Sequence, residues 1–167
     1  MRPEQVDEML KEYHTAKGRT AHLDVEIARL QGELQRTVEA DRYEAADITG
    51  QHYSTMPHGS DIGNPTEQKG MRLANLPASP EAKNIKQRIH ELGLTQERHR
   101  IVVMFVEAWL QGLTEKERWI IEKQTIDCMS WREVTHRFSS EFGYPAKPDT
   151  LKRIKRTAME KIYAMAE

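Results

Sequence analysis

From Val6 onward one set of residues recurs at steps of three and four: Val6, Met9, Tyr13, Ala16, Thr20, Leu23, Ile27, Leu30 and Leu34. Such spacing returns side chains to one face of a 3.6-residue helix and predicts a long first helix whose stripe needs a partner. Gly18 and Gly32 each weaken that helix by up to about 1 kcal/mol relative to Ala, so it depends on packing. The stripe recurs after Ser79-Pro80, a cap followed by a first-turn proline, as Ala82, Ile85, Ile89, Leu92, His99, Val103, Val106, Leu110 and Leu113, with Gln96 its polar member. Gly93 marks a point where this second helix can bend or break, and His99 reads as a packed core histidine. Between the stripes, residues 41–80 lose the pattern and collect Pro57, Gly59, Gly63, Pro65, Gly70 and Pro77, which predicts a loop carrying a short helix from Asn64 to Ala74. Pairing of the two stripes within one chain makes an antiparallel hairpin; pairing between chains makes a homodimer.

A second pattern occupies Leu113 to Ile162. Thr114 with Glu117, and Ser130 with Glu133, each have the spacing of a capping box, in which a hydroxyl and a carboxylate serve the orphan N–H groups of a helix start. The first of these helices brings Trp119, Ile120 and Ile121 and runs out near Thr125 to Met129; the second presents Trp131, Val134 and Phe138 on one face. Phe142-Gly143-Tyr144-Pro145 ends it, and Pro148 opens a third helix with the core stripe Leu151, Ile154, Ala158 and Ile162. Between Lys147 and Lys161 stand six basic and two acidic residues, a local net charge of +4 in a chain of net charge -1. A helix with one apolar face and cations near its N-terminal half suits a DNA groove, although such charge runs more often make an ordinary solvated surface.

The strings LTEKERWII from Leu113, SWREV from Ser130 and TLKRIKRTAMEKI from Thr150 resemble region 4 of bacterial sigma factors. With the long N-terminal helix, the layout is similar to phage-encoded sigma-like late-gene activators of the RinA/ArpU kind. The resemblance covers about a third of the chain at motif level, and it departs from the pattern in the longer Phe138–Pro148 connection. It implies a helix-turn-helix that binds double-stranded DNA and works with a host RNA polymerase. It places Lys147, Thr150, Lys152, Arg153, Lys155 and Arg156 in the major groove, with Arg132 and Arg137 as phosphate contacts that orient the module without reading sequence.

Composition narrows the alternatives. Charged residues make up 31% of the 167 residues and hydrophobic ones 38%, as in a charge-rich helical protein, and the expected class is all-α. Two regions are expected: 1–112, a hairpin or oligomerisation region with its loop at about 41–80, and 113–167, the helix-turn-helix. The second holds 11 basic and 9 acidic residues, the first 113 residues 14 and 17, so the positive excess lies at the C-terminal end. A lone cysteine, Cys128, taken as partly buried at a helix junction, excludes an internal disulfide and suits a cytoplasmic protein. The longest apolar run, Ile101 to Val106, is too short to cross a bilayer, so no membrane partner is expected. His52, His58 and Asp61 form a weak metal-site candidate, and no nucleotide loop, nucleophile elbow or catalytic cluster suggests an enzyme or a cofactor. A rival reading makes the chain a helical adaptor or anti-sigma-like protein whose hairpin binds a protein partner.

Overall fold

The structure, a computed structural model, describes residues 1–50 and 78–167, with side chains described over 1–44 and 78–167. The elements are α1 (Pro3–Gly50), α2 (Pro80–Gln111), α3 (Glu115–Ile120), a π-helical segment (Ile121–Ile126), α4 (Trp131–Phe142) and α5 (Pro148–Ala166). No strand occurs among the described residues, in keeping with the all-α class. Helix α1 continues ten residues past the expected start of the loop. Arg42, Tyr43, Glu44, Ala45 and Ala46 carry no helix breaker, and the proline- and glycine-rich stretch begins only at Gly50. Likewise α2 runs unbroken through Gly93, and it starts where Ser79 Oγ accepts from the Ala82 N–H at 3.2 Å. The candidate metal residues His52, His58 and Asp61 and the short helix from Asn64 lie outside the described residues.

Two compact units divide the chain. One unit comprises Met1–His22 with Thr95–Glu167, the other Leu23–Leu94. In the second unit the stripe residues Leu23, Leu30, Ala82 and Ile85 are buried. In the first, a single apolar cluster gathers Val6 and Leu10 of α1, Val106 to Leu113 at the end of α2, Ile121 and Ile126 of the π segment, and Ala158, Met159 and Ile162 of α5. The start of the chain is therefore part of the core on which the C-terminal helices rest. Tyr163 Oη donates to Asp7 at 2.9 Å and the Met1 ammonium donates to the Ala166 carbonyl at 2.8 Å, tying residues 1–7 to the C-terminal end of α5.

The π segment has a packing reason. In an α-helix, residues five apart point about 140° from each other, so Ile121 and Ile126 could not both enter one core. The wider turn, with the Asp127 N–H reaching the Glu122 carbonyl at 2.8 Å, brings both into the same cluster, while Ile120 serves a second one. Cys128 follows in a left-handed conformation, φ 53°, and is exposed, not partly buried; its Sγ lies 3.6 Å from the Thr125 carbonyl.

Candidate nucleic-acid interface

Both capping boxes form. The Glu117 carboxylate accepts from the Thr114 N–H at 3.0 Å and its hydroxyl at 2.8 Å, and Glu133 does the same for Ser130 at 3.0 and 2.8 Å. Glu117 is also the one charged residue buried among those described, and Lys161 of α5 reaches both its oxygens at 2.7 and 2.9 Å. Burial pushes the Glu117 carboxyl up, but the bonds from Lys161 and Thr114 outweigh it and hold the group below its ordinary value. One carboxylate thus starts α3 and anchors α5 across it.

The second cluster fixes α5 against α4. Val134 and Phe138 meet Ile120 and Leu151, with Trp119, Trp131, Phe142 and Ile154 around them. Trp119 stands edge-on to Phe138 at 5.6 Å between centroids, and Phe138 lies 4.5 Å from Phe142. Helix α4 ends at Gly143, whose φ of +72° is a left-handed position that a side chain disfavours. The connection is shorter than the expected Phe138–Pro148 span, because the helix runs on to Phe142 and leaves only residues 143–147 before Pro148, and it is pinned: Tyr144 packs edge-on against Phe138 at 5.7 Å, and Lys116 sits 5.0 Å over the Tyr144 ring.

With its Leu151, Ala158, Met159 and Ile162 side buried, α5 exposes Thr150, Lys152, Arg153 and Arg156, next to exposed Lys147 at its N-cap. Lys152 lies 3.7 Å from Asp149 and Arg156 3.9 Å from Glu160; these long, solvent-exposed pairs hold their cations loosely. Arg153 makes no ion pair among the described residues. Lys155 is placed differently. It is partly buried, donates to Gln124 Oε1 of the π segment, and has its pKa pushed down by burial, with Asp7 opposing and Lys11 reinforcing the shift. Its ammonium is turned to the π segment and stands apart from the exposed set.

Arg132 and Arg137 are both exposed on α4. Arg132 lines a surface groove of about 620 Å³ between α4 and the start of α5, together with Trp131, Thr135, His136, Ser139 and Pro148. Thr135 and Ser139 spend their hydroxyl protons on backbone carbonyls one turn back, at 2.7 and 3.1 Å, so Arg132 is the groove's cation, with the His136 ring beside it. His136 was not among the sequence candidates. Its signal was available, one helical turn after Arg132 on the same face. No group of three or more histidine, cysteine or acidic side chains suited to a metal occurs among the described residues, and no helix there is long and apolar enough to cross a membrane.

No family model, curated protein or solved structure matches the chain.

Proposed function

We propose that this chain is a sequence-specific DNA-binding transcription regulator, with α4 and α5 as a helix-turn-helix and α5 entering the major groove. The observation that carries the reading is the exposed cationic face of α5, Lys147, Lys152, Arg153 and Arg156 with Thr150, beside Arg132 and His136 in the groove leading to it. Base edges are reached from α5, and the phosphate backbone runs over Arg132, His136 and Arg137, which set orientation. Lys155 acts indirectly, by holding α5 to the π segment and α1.

The resemblance to sigma region 4 extends the proposal to an activator of phage late genes that works in the cytoplasm with a host RNA polymerase. Loss of any effect of the purified protein on transcription by that polymerase would remove this part and leave DNA binding standing. The DNA reading itself is tested by titrating the protein against DNA flanking its own gene, over a range of salt, with scrambled competitor. Sequence-preferring binding that falls steeply with salt supports it. Binding unchanged in a Lys152→Ala, Arg153→Ala, Arg156→Ala triple variant that keeps its helicity would overturn it and favour the adaptor reading.

A further inference from the structure

Helix α2 leaves an apolar stripe in solvent within the first unit. Ile101, Met104 and Phe105 are 39%, 60% and 38% exposed, and exposed Ala108 continues the same face. At 100° per residue this face points away from Val106, Leu110 and Leu113, which fill the core. Phe105 leans on Trp109, ring centroids 5.9 Å apart, so its orientation is set by packing while its edge stays open. From Ile101 to Leu110 only Glu107 is polar, so this stretch is apolar well beyond the side that the core covers.

The polar residues flanking the stripe identify the occupant. Arg100 and Glu107 border one side of it, and Arg98 the other, beside the stripe's own Phe105. If a second α2 lies antiparallel with Ile101 opposite Met104, each flank meets its own counterpart, as in any antiparallel helix pair. Arg100 then falls beside Glu107 of the other copy and Arg98 beside the other Phe105 ring, each twice by symmetry. A parallel pair would instead set Arg100 against Phe105 and Glu107 against Gly112, leaving both charges unmatched. Both groups are open to such a partner. Arg100 is exposed and makes no ion pair among the described residues. Glu107 uses only Oε1 for Tyr13 at 3.0 Å and Lys17 at 3.2 Å, so Oε2 is free to accept. We infer that the Ile101–Ala108 face of α2 is a homodimer interface, closed by a second copy of this chain packed antiparallel about Ile101 and Met104.

The apolar patch offers a few hundred Å² per copy, below the roughly 800 Å² per partner of a stable complex, so the dimer is a reversible one. Sedimentation equilibrium of the full chain, from low micromolar to submillimolar, should show monomer passing to dimer. Met104→Glu buries a charge opposite an apolar side chain and should weaken association by about 100-fold. Arg100→Glu, which exchanges one exposed charged side chain, gives the same reading should Met104→Glu lose helicity. In a Cys128→Ser background, Ile101→Cys copies mixed with Met104→Cys copies should form a disulfide faster than either variant alone. A monomer at every concentration, or association that neither charge variant changes, would overturn the interface. Faster cross-linking of like with like would overturn its antiparallel register.

Discussion

Lys161 reaches across from the last helix to both carboxylate oxygens of Glu117, at 2.7 and 2.9 Å, while the same carboxylate caps the helix that Glu117 belongs to. Two separate stabilising roles therefore pass through one buried side chain. Glu117→Ala should lower unfolding free energy by about 2–3 kcal/mol, since it removes the cap and strands the Lys161 ammonium. Lys161→Met should cost about 1–2 kcal/mol, because Lys161 is nearly half exposed and Thr114 still satisfies the carboxylate. Urea denaturation of the two variants checks the order, and an equal or reversed cost would show that the cap is not shared.

The same carboxylate makes a pH prediction. Its folded pKa lies below the ordinary value of 4.5, so its stabilisation is present above that pH and is lost as pH falls through the depressed folded value. Unfolding followed from pH 6 downward should show acid destabilisation that is smaller in Glu117→Gln.

Tyr163 gives the opposite case at alkaline pH. Burial first, and then its bond to Asp7, raise the phenol from 10.0 to about 12. A raised folded pKa means a contribution fully present below pH 10 and lost as pH rises through about 12. Phenolate absorbance should reveal one of the five tyrosines titrating late, and Tyr163→Phe should abolish that late step. A late step that persists in the variant would place the raised pKa elsewhere.

Among the cations of α5, the structure separates two behaviours. Arg153→Ala should weaken specific DNA binding by about 1–3 kcal/mol and relax preference at one base pair if it contacts a base edge. Lys155→Ala should leave the salt slope of binding close to wild type, since its ammonium is turned to Gln124, while lowering thermal stability. Filter binding and thermal melts on the two variants distinguish them; matching losses of affinity would put Lys155 back in the exposed set.

Arg132→Ala should reduce the log–log salt slope by about 1 with sequence preference unchanged, as expected for one phosphate contact. A shift in preferred sequence would instead make it a base contact.

Local signals carried far in this chain. Both capping boxes, the proline entry to α5, the apolar faces of α4 and α5 and the first-turn start of α2 depend on residues within four positions of one another, and sequence spacing reports such neighbours directly. The seam of α1 was legible except for Leu10, which steps out of the three-and-four series and is buried by α5 and the end of α2. Of the candidate site, Lys147, Thr150, Lys152, Arg153, Arg156, Arg132 and Arg137 are exposed, while Lys155 is partly buried against Gln124, a partner 31 residues away that helical spacing cannot show.

Sequence by itself determined the helical class, the helix starts and the concentration of positive charge near Lys147–Lys161, because these follow from short-range periodicity and local hydrogen bonding. Tertiary structure alone decided that Val6 and Leu10 share a core with Ala158 and Ile162, that a π turn admits Ile121 and Ile126 together, and that Lys155 turns inward. Each of these depends on which distant surfaces meet, and burial free energy is settled by that meeting, not by the neighbours along the chain.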